Sequence, residues 1–175
     1  MEKNIVLIGF MGTGKTAIGT RLAQRLNRKF IDTDREIERV TGMTVRDIFL
    51  KAGEVRFRSE EALISQKLAN QEGLVIATGG GLVLNPENIE YLRENGVVVC
   101  LKAAPEDIFR RVSKKKQNRP LLGRSFTIDD IVRMLNDRDE FYRNADIEVD
   151  TTGTEPDMVV QEIISKLQGV EGWTG

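Results

Sequence analysis

Short apolar runs alternate along this chain with stretches in which apolar residues recur at helical spacing. The run Ile5-Val6-Leu7-Ile8 is bounded by a glycine and reads as a buried strand. A glycine-rich turn follows, and Ile18, Leu22 and Leu26 then fall on one face of a helix over 15–26. Phe30-Ile31 predicts a short strand that ends at Asp32-Thr33-Asp34. Residues 35–40 read as a helix stopped near Gly42. Thr44 suits the cap of another, and 54–70 reads as a longer helix with Ala62, Leu63 and Leu68 inward. Leu74-Val75-Ile76-Ala77 is a second buried strand, closed by Gly79-Gly80-Gly81. Asn85 suits an N-cap and Pro86 a first turn, so a helix opens there and stops at Asn95-Gly96. A strand over 97–101, a helix over 105–112 and a poorly periodic segment over 114–125 come next. Thr127 starts a helix that runs to about Asn144. A short strand, Ile147-Glu148-Val149, and a helix over 156–167 complete the pattern, and 171–175 is expected to fray.

Strands alternating with helices predict an α/β fold, a parallel sheet with helices on both faces. The length, 175 residues, suits one domain, taken here as 1–170. Hydrophobic residues make up 40% and charged residues 30%, enough to bury a core and leave a hydrated surface. With 26 basic against 27 acidic residues the net charge is -1, which argues against a nucleic-acid partner despite a basic block over 110–124. Histidine is absent, which removes histidine-based triads, bases and metal sites together. The one cysteine, Cys100, lies in the apolar run 97–101 and reads as a small buried hydrophobe. One cysteine allows no internal disulfide, and no run is long enough to span a membrane. The first residues lead straight into a short strand, and the expectation is a cytoplasmic monomer with no membrane partner.

The chemistry is concentrated in Gly9-Phe10-Met11-Gly12-Thr13-Gly14-Lys15-Thr16, which fits the Walker A pattern G-x-x-x-x-G-K-[ST]. It follows a buried strand and opens a helix, so its backbone N–H groups and the helix N-terminus can face phosphates. Lys15 can reach the β- and γ-phosphates of ATP, and the Thr16 hydroxyl can meet Mg²⁺. Asp32 and Asp34 end a strand, where ligands of open α/β sheets bind. Asp32 could assist the metal. The local sequence leaves Asp34 open between accepting a proton from a substrate hydroxyl and capping the helix from Arg35. Arg58, in Phe57-Arg58-Ser59-Glu60-Glu61, reads by itself as part of a solvated face, and Arg138 as half of a surface ion pair. The glycines 79–81 suggest close approach of backbone to a ligand, or a plain tight turn. Arg119-Pro120-Leu121 sits in the basic segment, where an arginine could cover a transferring phosphate.

Taken together, these elements resemble the shikimate kinase family in order and over nearly the whole chain, from Ile5 to about Leu167. The Walker loop alone says only P-loop nucleotide binder. Asp32-Thr33-Asp34, the triple glycine and Arg119-Pro120-Leu121 narrow it, beside the Phe-Arg-x-x-Glu at Phe57 to Glu61 and the Arg-x-x-x-Tyr at Arg138 to Tyr142. The resemblance implies a P-loop three-layer α/β/α fold with a five-stranded parallel sheet in the order 2-3-1-4-5. It implies a substrate-binding helical region over 33–62 and a lid over 113–125. It implies phosphorylation of the 3-hydroxyl of shikimate by ATP with Mg²⁺, on the route to chorismate and the aromatic amino acids. By similarity, Gly12, Thr13, Gly14, Lys15, Thr16 and Ala17 hold the phosphates, with Thr16 and Asp32 at the metal. Asp34 meets the reacting diol, while Arg58, Arg138 and the backbone of Gly79, Gly80 and Gly81 take the carboxylate. Arg119 is the lid arginine. Pro156 and one of Arg110 and Arg111, taken here as Arg111, sandwich the adenine. The rival readings are a P-loop kinase for another small acceptor such as gluconate, and a relative that binds without turnover. A switch GTPase lacks support, because no Asn-Lys-x-Asp motif is present.

Overall fold

The computed structural model describes residues 2–114 and 126–173. Its elements run β1 (Asn4–Ile8), α1 (Lys15–Leu26), β2 (Lys29–Asp32), α2 (Thr33–Thr41), α3 (Val45–Ala69), β3 (Leu74–Ala77), a 3-10 turn (Leu82–Leu84) and α4 (Pro86–Glu94). β4 (Gly96–Lys102), α5 (Pro105–Ser113), α6 (Ile128–Tyr142), β5 (Ile147–Asp150) and α7 (Pro156–Leu167) follow. All five strands are parallel, in the order β2-β3-β1-β4-β5. The expected sheet order is therefore the observed one.

The sheet is buried on both faces, so its central strands carry continuous apolar runs whose alternate residues feed two cores. Ile5, Leu7, Val97 and Val99 pack with Ile18 and Leu22 of α1 and Val160 and Ile163 of α7. Val6, Ile8, Val98 and Cys100 face the other way, onto Ile64 and Leu68 of α3 and Leu92 of α4. Burial pushes the Cys100 thiol up to about 11, which keeps it neutral and unreactive. A third cluster, Phe10 with Ile108, Val112 and Ile131, packs the loop after β1 against α5 and α6.

Four local expectations need correction. α2 begins at Thr33, two residues earlier than its periodicity suggests, because the Asp32 carboxylate accepts from the N–H groups of Asp34 and Arg35 and caps it. The helices expected around Thr44 and over 54–70 join into α3 across a kink at Gly53, whose φ of 84° only glycine adopts without strain. Leu63, expected inward, is 59% exposed. The buried stripe of α3 runs through Phe57, Glu61, Ile64 and Leu68, and Leu63 falls one residue off it. Within the stretch expected to fray only 171–173 are described, and Trp173 packs against the α1–α7 core beneath the Arg28 guanidinium, 4.6 Å from the ring centre. The expected lid, with Arg119, lies largely outside the described residues.

The anchoring of Trp173 has a thermodynamic consequence. Trp173→Ala should destabilise the fold by about 1 kcal/mol, the scale of a cation–π contact with partial apolar burial. That corresponds to a fall of about 2–4 °C in Tm for a chain of this size. An unchanged Tm in calorimetry would mean that the C-terminal stretch contributes nothing.

Candidate active site

α1 begins directly after the loop, and the residue that caps it, Gly14, has no side chain to satisfy the first N–H groups. No acidic residue occupies its first turn either. An uncapped, uncountered helix N-terminus attracts anions. Beside it, Lys15 is largely buried, with its ammonium 2.7 Å from the Gly9 carbonyl and 3.0 Å from that of Phe10. The Thr13 hydroxyl donates to the same Phe10 carbonyl at 2.8 Å. The Walker loop thus presents a held cation and open backbone donors at the carboxyl end of β1.

β2 delivers Asp32 next to this loop. One oxygen caps α2, and the other accepts from the Thr16 hydroxyl at 3.1 Å. The two residues expected at the metal are therefore in contact. Asp34 is free of the capping role and turns its carboxylate toward the backbone of Gly79, where an added Cβ would lie 2.5 Å from Oδ1. Oδ1 is buried with no hydrogen-bond partner among the described residues. Burial, with the neighbouring Asp32 charge, raises the Asp34 pKa to about 6, against the pull of Lys15.

α3 and α6 bring two arginines to the triple glycine. Arg58 lies so close to Gly81 that a Cβ there would stand 2.5 Å from Nη1. It donates to Glu61 at 2.7 Å and to Glu54 at 3.2 Å. Glu61 is 1% exposed, and burial raises its pKa to about 7 in spite of Arg58. Arg138 donates to the Gly80 carbonyl at 3.2 Å and lies over the Phe10 ring, 5.5 Å from its centre. Read singly, both arginines suggest surface ion pairs. The fold turns them inward, because α3 and α6 flank the loop that leaves β3.

At the other end, Arg111 donates to the Gly12 carbonyl at 3.1 Å and lines the same cleft as Pro156. Arg110 points away to an exposed pair with Asp107. One cleft of about 1320 Å³ joins all these groups, from Pro156 and Arg111 past the Walker loop to Asp34, Arg58 and Arg138. Every described residue expected at the site, including Ala17, lines it, and Arg119 lies outside the described residues. Sequence reading missed three contributors. Thr33 accepts the Gly79 N–H at 2.9 Å and ties the glycine loop to α2. Glu61 is buried rather than solvated. Thr151 joins β5 to the Walker loop. Thr33, inside Asp32-Thr33-Asp34, and Glu61, three residues after Arg58, have a visible signal; Thr151 has none.

The sequence matches the shikimate kinase family model over residues 11–168. The chain belongs to the shikimate kinase family. It is 58% identical over 166 residues to the shikimate kinase of Pelotomaculum thermopropionicum, covering 95% of this chain and 96% of that one. It is 56% identical over 149 residues to that of Desulforudis audaxviator, covering 85% and 78%. The fold superposes with a TM-score of 0.91 on the Acinetobacter baumannii shikimate kinase in complex with shikimate, at 38% identity over 98% and 96% of the two chains. A Sinorhizobium meliloti gluconokinase, at 19% identity and a TM-score of 0.58, shares the fold alone. Family membership makes the protein an ATP-dependent phosphotransferase.

Asp34 carries a measurable cost. Its pKa is raised from 3.8 to about 6, so ionising it opposes folding. The penalty is complete above about pH 6 and vanishes as pH falls toward 3.8. Asp34→Asn should therefore raise stability at pH 8, by on the order of 2 kcal/mol, while abolishing turnover. Denaturant melts at pH 8 and pH 5 check this, and the gain must shrink at the lower pH.

Proposed function

We propose that the chain transfers the γ-phosphoryl group of ATP to the 3-hydroxyl of shikimate, giving ADP and shikimate 3-phosphate in the route to aromatic amino acids. The observation that carries the reading is the convergence of Asp34, Arg58 and Arg138 on residues 79–81, across one cleft from the Walker loop. Two guanidiniums suit a carboxylate, because each offers a planar pair of donors. A buried carboxylate with an unpartnered oxygen suits a hydroxyl donor. With the acid anchored on Arg58 and Arg138, the 3-hydroxyl meets Asp34. At neutral pH Asp34, with a pKa of about 6, is mostly ionised and can accept the proton as the oxygen attacks the γ-phosphorus. The bond to the bridging oxygen of ADP breaks in the same displacement. Lys15, now held by loop carbonyls, is placed to follow charge onto the β- and γ-oxygens.

No group of three or more acidic or cysteine ligands exists among the described residues. The Thr16–Asp32 pair fits an ion that takes few protein ligands and completes its shell with phosphate oxygens and water, as Mg²⁺ does. Thr16 and Asp32 would hold Mg²⁺ there, and its charge would offset that of the phosphates. Arg111 and Pro156 would hold the adenine between them. A cytoplasmic, monomeric enzyme goes with this reading.

Four measurements test it. Lys15→Met should remove turnover in a folded sample, and coupled ADP release should favour shikimate over gluconate and nucleoside monophosphates. Arg58→Lys and Arg138→Lys should each raise KM for shikimate about 30-fold or more, the cost of breaking a desolvated charge pair, with KM for ATP nearly unchanged. An analogue with the carboxylate replaced by an amide should be a poor substrate for the wild type. If the amide serves as well as the acid, the two arginines do not read the carboxylate.

A further inference from the structure

Thr151, the first residue after β5, is 2% exposed. Its side chain lies where three separate parts of the nucleotide half-site meet. The hydroxyl oxygen is 3.0 Å from the Thr13 carbonyl, in the Walker loop, and 3.1 Å from the Lys102 carbonyl, at the end of β4. The Lys102 carbonyl already takes the Thr151 N–H at 2.8 Å, so the single hydroxyl proton is best used on Thr13. The same oxygen accepts from Arg111 Nη1 at 3.1 Å, and the Thr151 carbonyl accepts from Nη2 at 2.9 Å. Nη1 also reaches the Gly12 carbonyl at 3.1 Å. The result is a closed ring of contacts: loop carbonyls at 12 and 13, the Arg111 guanidinium, and the hydroxyl between them. A ring of this kind leaves the guanidinium one orientation and the loop peptide one height above the sheet.

We propose that Thr151 is a positioning residue for ATP: its hydroxyl holds the Walker loop and the Arg111 guanidinium in one frame, so that base and phosphates are received at the correct separation. The inference rests on the reading of Arg111 as an adenine partner. Neither the expected Walker loop residues nor the Arg111–Pro156 pair includes Thr151. The chemistry does not require it to touch the nucleotide. A threonine suits the place for two reasons. Its hydroxyl can donate and accept at once, which valine cannot do. Its stiff β-branched side chain points the hydroxyl in few directions. Removing it leaves the buried Thr13 carbonyl short of a donor and takes one acceptor from the part-buried Arg111 guanidinium, which keeps the Gly12 and Thr151 carbonyls and lies 3.6 Å from Asp107.

The test is a split between the two substrates. Thr151→Val keeps the shape and removes the hydroxyl, and should raise KM for ATP about 10-fold, the effect of one to two buried hydrogen bonds, with KM for shikimate within about twofold. Thr151→Ser restores a hydroxyl and should return KM for ATP to within about threefold of wild type. If Thr151→Val does not fold, Thr151→Cys, a poor hydrogen-bonding group of similar size, carries the same expectation. Three results overturn the proposal: an unchanged KM for ATP, an equal rise in both KM values, or a serine variant as impaired as the valine one. Arg111→Ala is measured alongside. If it raises KM for ATP while Thr151→Val does not, only the positioning role falls. If Arg111→Ala is itself neutral, the adenine reading falls and this inference falls with it.

Discussion

The pairing of β1 with β3 is the constraint on which the rest of the site depends. The two strands run parallel in register, Leu7 opposite Ala77, and their last contact joins the Leu7 carbonyl to the Thr78 N–H and hydroxyl, each at 3.1 Å. Both chains then leave the sheet side by side. One becomes the Walker loop and the other the triple glycine. In the proposed reading, a nucleotide on the first and an acceptor on the second would be neighbours because the strands are neighbours. β2, on the outer side of β3, sets Asp32 and Asp34 at the same edge. Parallel sheets place all strand ends of one polarity together, so a single edge collects groups that are far apart along the chain.

The charges at that edge are not arranged for stability. Asp34 is half-buried and Glu61 buried; each has a buried carboxylate oxygen lacking a hydrogen-bond partner among the described residues, and each is raised above its ordinary range by desolvation. The negative charge of Asp34 also disfavours ionisation of Glu61. Lys15 and Arg58 offset part of the cost. Such an arrangement is tolerated when the opposing charges are needed for a ligand. A substrate hydroxyl would supply the donor that Asp34 lacks, and phosphates would draw Lys15 from the loop carbonyls. Shifted carboxylates of this kind gather at functional sites.

The triple glycine shows how steric and electrostatic demands combine. Any side chain at position 79 would collide with the Asp34 carboxylate, and any at 81 with the Arg58 guanidinium. The loop is therefore a flat wall against which one negative and one positive side chain are pressed. Arg138 completes the wall from α6 by binding the Gly80 carbonyl. Three helices, α2, α3 and α6, each contribute one residue, and the glycines let all three approach the same peptide segment.

The amino-acid sequence by itself determined what is local. The Walker loop is eight consecutive residues whose glycines, lysine and threonine imply phosphate binding wherever a strand precedes and a helix follows. The alternation of apolar runs implied a parallel sheet, and the ordered motifs carried the family. Tertiary structure alone decided the roles of residues whose meaning is a partner. Arg58 and Arg138 look like members of surface ion pairs until packing turns them toward Gly81 and Gly80. Asp34 could be a cap or a base until Asp32 is seen to cap α2. Arg110 and Arg111 are equivalent until α5 is docked: both lie within ion-pair distance of Asp107, and Arg111 also reaches Gly12 and Thr151. Thr151 and Thr13 are 138 residues apart, and no periodicity links them. The reason is physical. Periodicity reports which face of an element is buried, but the identity of what it is buried against depends on how distant elements pack.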